Sequence, residues 1–205
     1  MQPTVARVRE IYQRQAARYD RCLRLPSRLL GFDEGRAWAC AGLEGTVLEI
    51  GIGTCLNLGW YPAAARVTGV DLSSEMLAVG RRRAAALGRD VDLRIADAGA
   101  LPFVDASFDA VTATLLLCTA PDPVAAVREA WRVARREIRF FDHGIASSRL
   151  ARGVERVLEP LTLRFDADRL TLDPRRVFAD AGVPIDSVVR SKLGVCWHVR
   201  AVKGA

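Results

Sequence analysis

Hydrophobic and polar positions recur in blocks along this chain, and the spacing within each block predicts its elements. Val5, Val8, Tyr12, Ala16 and Tyr19 lie three or four residues apart, so residues 1–24 read as one amphipathic helix. Pro26, Gly31 and Gly35 interrupt that pattern, and a short helix is expected over 36–40. From Thr46 onward the period changes. Residues 46–50, 66–70, 91–95, 108–116 and 138–141 are apolar runs with the length of buried strands. Helical spacing separates several of them. Ser73 caps a run through Met76, Leu77 and Val79 to about Leu87 that Gly88 closes, and 123–133 carries another. Strands alternating with helices predict an α/β fold with an open, mostly parallel sheet. The tail differs: a helix over 175–181 precedes strands at 185–192 and 195–202, and the short link at Gly194 requires that they pair antiparallel. Between these parts, 144–172 reads as Arg-rich amphipathic helix and loop.

Composition narrows the class. With 205 residues, half of them apolar and 26% charged, the chain suits one domain with a sizeable core and not a disordered or disulfide-stapled one. All but two of its 30 basic residues are arginine, and the net charge is +6, which fits either biased composition or a surface that meets anions. The longest apolar stretch, 110–120, falls short of the roughly 20 residues of a membrane-spanning helix. The N-terminus lacks the apolar core of a secretory signal, so a cytoplasmic location is expected. Five scattered cysteines without a CxxC pair agree with a reducing compartment and predict no metal site. No GxSxG elbow marks a serine hydrolase.

Chemistry concentrates at the predicted strand ends, where open α/β sheets bind ligands. Glu49 stands at the end of the first strand with Gly51, Gly53 and Thr54 after it, Asp71 follows the second, Asp97 the third, Thr114 and Leu115 lie at the end of the fourth, and Asp142 with His143 follows the fifth. The acid at 71 stands 18 residues beyond Gly53, an offset that suits hydrogen bonds from ribose hydroxyls. Leu56 occupies the place of the third glycine of a dinucleotide fingerprint, and an acid at Glu49 would repel a pyrophosphate.

These residues resemble the successive motifs of class I S-adenosylmethionine-dependent methyltransferases: VLEIGIGT (47–54), VTGVDLSSEML (67–77), ADAGALPFVDASFDAV (96–111) and VREAWRV (127–133). The nearest likeness is to the ubiquinone/menaquinone-biosynthesis branch and its phospholipid- and thiol-methylating relatives, whose N-terminal segment IYQRQAARYD (11–20) also resembles. The resemblance implies a Rossmann-like, doubly wound seven-stranded sheet whose last strand is antiparallel. It implies one methyltransferase domain in four parts: a helical lid (1–45), a cofactor-binding core (46–143), an acceptor-side insertion (144–174) and a C-terminal helix and hairpin (175–205). It implies S-adenosyl-L-methionine as cofactor, with Gly51 and Gly53 at its methionine part and Asp71 at its ribose. Leu72 and Met76 would flank the adenine, Asp97 and Ala98 would meet its edge, Leu115 would touch it from the fourth strand, and Tyr12 and Tyr19 would close the lid. Plain core packing accounts equally for Leu72, Met76 and Leu115.

The chain departs from the pattern twice: Cys55 stands where the family has Gly, and 134–137 runs into the fifth strand where the family has a Pro-Gly-Gly turn. Two readings follow. One is an active methyltransferase; the other is a cofactor-binding protein without turnover. For an acceptor that must lose a proton, His143 beside Asp142 is the candidate base, its ordinary pKa near ~6.5 suiting that task. Loop organisation is the competing role for that pair. Val154, Val157, Leu158, Leu161 and Leu163, with arginines among them, predict an acceptor pocket for an apolar or amphipathic small molecule such as a quinol, a lipid amine or a thiol. Nucleic acid is not expected as a partner. The arginines at 7, 9, 14, 18, 21 and 24 suggest peripheral contact between the lid and an anionic membrane.

Overall fold

A computed structural model describes residues 3–204. Its sheet holds seven strands: β1 (Thr46–Ile50), β2 (Arg66–Asp71), β3 (Val91–Ile95), β4 (Phe108–Thr114), β5 (Ala134–His143), β6 (Ser187–Ser191) and β7 (Cys196–Val202). They lie in the order β3-β2-β1-β4-β5-β7-β6. Strands β1 to β5 pair in parallel, and β7 runs antiparallel to both β5 and β6. The fold is therefore the Rossmann-like sheet that the sequence implied.

Central strands of a parallel sheet are covered on both faces, which explains why β1 and β4 are apolar almost throughout. One face buries Ile138, Phe140 and Val127 against Phe178; the other buries Phe141 and Leu77 against Phe32 and Ala39. Phe140 and Phe141 point to opposite faces because successive residues of a strand do. Helices α4 (Ser74–Ala86), α5 (Pro123–Val133) and α7 (Pro174–Ala181) begin at side-chain caps from Ser73, Asp122 and Asp173.

The structure corrects several boundaries. The single N-terminal helix is two, α1 (Val5–Gln15) and α2 (Tyr19–Leu30), followed by α3 (Phe32–Cys40). Pro26 sits inside α2 instead of ending it, in a helix that buries no residue. The stop is Gly31, left-handed at φ 65°, whose N–H reaches the Ser27 carbonyl. β4 ends two residues early because Leu115 turns left-handed at φ 54°. β5 begins four residues early, directly from α5, and the missing turn is absorbed by a register slip between Phe108 and Ala110. Helix α6 (Arg149–Asp166) also buries no residue. No helix of the described residues is long and apolar enough to cross a membrane.

Candidate active site

The chain leaves β1 for β2 and β3 on one side, then returns to β4 on the other, so the crevice beyond the carboxyl ends of β1 and β4 is a topological switch point. A cavity of about 830 Å³, its mouth included, opens there. Every residue assigned to the cofactor on sequence grounds lies on its wall. Glu49, Gly51, Gly53 and Thr54 come from β1 and the turn after it; Asp71, Leu72 and Met76 come from β2 and the start of α4. Asp97 and Ala98 follow β3, Leu115 follows β4, and Tyr12 and Tyr19 close over from α1 and α2. Asp142 and His143 are not on this wall.

The glycines are required by geometry. Gly51 and Gly53 are left-handed, at φ 70° and 55°, and a Cβ on Gly51 would come within 2.9 Å of Leu116 Cδ1. The turn thus offers bare backbone to whatever enters. Asp71 holds it from the side, its Oδ2 accepting from Gly53 N at 3.0 Å and its Oδ1 from Ser73 N at 2.8 Å. A carboxylate has about four acceptor positions, so two remain for hydroxyls of a ligand. Burial raises the pKa of Asp71 to about 6 against the pull of these backbone donors.

Glu49 is the one acid within the apolar run of β1. Its Oε1 accepts from Asn57 Nδ2 at 2.6 Å and its Oε2 from the Tyr61 hydroxyl at 2.9 Å. Asn57 Nδ2 also reaches Thr114 Oγ1 at 2.9 Å, and Tyr61 shares a hydrogen bond with Thr112. Burial raises Glu49 to about 7, with Tyr61, Asn57 and the Arg36 cation pulling it down. Two neighbours are left incomplete. Asn57 Oδ1 is buried without a donor, and Arg36 of α3 is buried with Nε and Nη1 lacking acceptors. Orphaned groups of this kind are costly, and both line the cavity. Together they are matched to an α-amino acid zwitterion: free guanidinium donors for a carboxylate, and Glu49 with Asn57 Oδ1 for an ammonium. The donor set therefore fits the methionine end of S-adenosylmethionine. Neither Arg36 nor Asn57 was apparent from sequence, since a lone Arg in a short helix and an Asn after a glycine turn are commonly exposed.

A latch ties the lid to this turn. Asp20 of α2 accepts from Thr54 Oγ1 at 2.6 Å and pairs with Arg83 of α4 at 2.5 Å, while Arg83 also donates to the Thr54 carbonyl. Tyr12 and Tyr19 meet edge to face above the cavity, ring centres 6.0 Å apart. Cys55 does not crowd the cavity. It adopts φ 61° and is fully buried, with its Sγ occupying the space that a Cβ at Gly80 of α4 would need. The glycine at 80 thus accommodates the side chain at 55.

The expected base is placed otherwise than its ordinary pKa suggested. His143 Nε2 sits 3.2 Å from Asp168 Oδ2. Burial alone would lower its pKa, but Asp168, then Asp142 and Glu155, outweigh that and hold it at about 9. His143 is therefore a charged partner at neutral pH, without a lone pair to accept a proton. Asp142 organises the loops, accepting from Leu117 N at 2.6 Å and His143 N at 2.9 Å. Donor atoms of Cys118, His143 and Asp168 lie within 4.8 Å of one another; they could hold a cation only once the imidazole lost its proton. The expected acceptor wall is also revised. Val154, Val157, Leu158 and Leu161 face outward on α6, joined by Leu150 and Phe165.

Comparison with known proteins identifies the family. Residues 48–141 match the family model described as a methyltransferase domain. A phosphatidylethanolamine N-methyltransferase of Cereibacter sphaeroides is 38% identical over 141 residues, covering 64% of this chain and 70% of that protein. A demethylmenaquinone methyltransferase of Roseiflexus castenholzii is 37% identical over 137 residues, which is 62% of this chain and 56% of that one. Among solved structures, the cyclase SpnF superposes with a TM-score of 0.76 at 17% identity, covering 99% of this chain and 97% of that one. A magnesium protoporphyrin IX methyltransferase of Synechocystis with bound SAH superposes at 0.68 and 18% identity, covering 98% and 99%. Those two speak for the fold alone, as a cyclase among them illustrates. The chain belongs to the class I S-adenosylmethionine-dependent methyltransferases. It is an enzyme of that class and uses S-adenosylmethionine.

Proposed function

We propose that the protein methylates an amphipathic acceptor, a lipid amine or a quinol, that it meets at an anionic membrane surface. The observation that carries this reading is α6. Its apolar residues at 150, 154, 157, 158, 161 and 165 form one helical face, all exposed, with Leu150 at 81% and Val157 at 78%. Leu25 and Leu29 of α2 are exposed as well, and arginines interleave both stripes. Apolar faces rimmed by basic residues suit the headgroup layer of an anionic bilayer. Two relatives bear the names of a phospholipid and a menaquinone precursor, both membrane compounds.

S-adenosylmethionine supplies a methyl group on a sulfonium whose departure leaves a neutral thioether. The residues of this chain then have to bind, orient and exclude water. Arg36 would hold the carboxylate of the cofactor, and Glu49 with Asn57 Oδ1 its ammonium. Gly51 and Gly53 would lie against the same end, Asp71 would accept from the ribose hydroxyls, and Leu72 and Met76 would flank the adenine. Asp97, one oxygen already capping Gly99 N, would meet the adenine edge with Ala98. Leu115 would press from β4, Thr54 would carry the lid latch, and Tyr12 and Tyr19 would keep water out. The alternative without turnover drew on Cys55 and the shortened turn before β5, and neither reaches the cavity wall.

The test is transfer of radiolabelled methyl to a quinol, an aminolipid and a small water-soluble thiol. Label in the lipid-extractable product supports the proposal. Label only in the water-soluble thiol contradicts it.

A further inference from the structure

A second cavity lies where the loop after β5 meets the first turns of α6 and α7 and the strand β6. Five arginines line it: Arg152 and Arg156 from α6, Arg175 and Arg176 from α7, and Arg190 from β6. Asp173 is the single carboxylate on its wall among the described residues. That carboxylate is already engaged, capping Arg175 N at 3.0 Å and pairing with the Arg175 guanidinium at 3.1 Å. Glu155, close by, turns both oxygens to Ala146 N.

The arginines therefore face one another with little to offset them. The Arg190 guanidinium carbon lies over the buried ring of Trp197, 3.9 Å from its centre, with its N–H groups donating to the Ile145 and Gly194 carbonyls, and Arg175 also lies over that ring, at 5.0 Å. Burial, then the charges of Arg175 and Arg152, push the pKa of Arg190 down. Among the described residues, the guanidinium groups of Arg156 and Arg176 have neither hydrogen bond nor ion pair, and that of Arg152 has only a long contact to the Ser147 carbonyl at 3.4 Å. Like charges gathered on one cavity repel, and an anion between them would reverse the sign of that interaction. Several guanidinium forks converging from three elements offer more donors than one carboxylate can accept, and match a tetrahedral oxyanion.

The segment 167–173 connects this cavity to the loop after β4, where Arg169 donates to the Ala120 carbonyl and Ala120 lines the first cavity. It carries Asp168, paired with His143 at the end of β5, and three residues later Thr171 on the arginine cavity. Arg169 N bonds the Cys118 carbonyl at 2.9 Å and Leu172 O accepts from Ile145 N at 2.8 Å, so the segment is fixed at both ends. Arg152 and Arg156 lie on the side of α6 turned to this cavity, opposite the exposed stripe of Leu150, Val154 and Val157, so one helix presents anion donors on one side and an apolar face on the other. We propose that the arginine cavity is a phosphate-binding subsite that holds the headgroup phosphate of the acceptor. The anion site stands on its own geometry; its assignment to the acceptor rests on the amphipathic reading above. It favours a phospholipid over a quinol.

Calorimetry with inorganic phosphate and with a short-chain glycerophospholipid below its micellar concentration tests this, at ionic strength matched with chloride. Saturable binding of both is expected, with the phospholipid at least tenfold tighter and both weakened at least tenfold in Arg156→Gln/Arg176→Gln. No saturable binding, or binding unchanged by the double variant, overturns the subsite. Equal affinity for the two probes overturns its assignment to a lipid. S-adenosylmethionine affinity and melting temperature serve as the fold control, and Arg156→Lys/Arg176→Lys replaces the double variant if the latter does not fold. In the transfer assay, an aminophospholipid methylated equally well by the variant rejects the assignment of the subsite to the acceptor alone. Phosphate binding without methylation of any amphipathic acceptor rejects the amphipathic reading instead.

Discussion

Arg36 shows how much of a binding site can rest on one side chain. It is buried beside Glu49 and Asn57, and its Nε and Nη1 lack acceptors. A charge-assisted hydrogen bond to a ligand carboxylate contributes about 1.5–3 kcal/mol, so Arg36→Gln is expected to weaken S-adenosylmethionine binding about 10- to 100-fold by calorimetry. An affinity within twofold of the parent would remove Arg36 from the site. Cys55 supplies the opposite case. Its side chain packs toward Gly80 and away from the cavity, so Cys55→Gly should leave cofactor affinity within about twofold. Relief of the left-handed strain, of order 1 kcal/mol, is set against the loss of a buried thiol. A large gain in affinity would show that the cysteine obstructs the site. The glycines and acids at strand ends were legible in the sequence because only a few residue types suit those positions. Arg36 and Asn57 were not, because their burial depends on how α3 and the turn after β1 pack, which no local spacing encodes.

At the scale of elements, the lid is joined to the glycine turn through Asp20, Thr54 and Arg83. The pair is about a third exposed on each side, so its worth to stability is small. Its worth to the cofactor lies in holding α2 over the cavity. Asp20→Asn is expected to raise the cofactor dissociation rate several-fold in stopped-flow measurements while leaving the melting temperature within a degree or two. An unchanged dissociation rate would mean that α2 does not gate the cavity. The strands and capped helices of the core were readable from hydrophobic spacing and from Ser73, Asp122 and Asp173. The lid was read as one helix because Val5 to Tyr19 keeps a helical period straight through the break at 16–18. The outward stripe of α6 shares the spacing of a buried face, so periodicity alone could not tell which way it points.

For the molecule as a whole, raised acids give an unusual pH dependence. Glu49 and Asp71 have folded pKa values near 7 and 6, above their unfolded values, so the folded protein binds protons more tightly than the unfolded chain. Their contribution to stability is lost as pH rises through those values. His143, raised to about 9, contributes stability that is full below its unfolded pKa and is lost as pH rises toward and through 9. The unliganded protein should therefore melt at falling temperatures from pH 5 to 9. Cofactor binding runs the other way, because the ammonium needs Glu49 ionised. Affinity should fall about tenfold from pH 8 to pH 6, with a proton released on binding at pH 6, and Glu49→Gln should remove most of both effects, leaving the smaller part that belongs to Asp71. The pull of Arg36 and the opposing push of Asp71 on Glu49 come from separate elements brought together by the folded sheet, which the sequence displayed only as an acid in an apolar run. The apolar stripe and arginines of α6 give the molecule a face suited to an anionic bilayer. The most direct test is the initial rate of methyl transfer to an aminolipid or quinol in anionic vesicles, for the parent protein and Val157→Glu. The account predicts a rate at least tenfold lower for the variant on vesicles, with equal rates on a short-chain acceptor free in solution; equal rates on vesicles would contradict it.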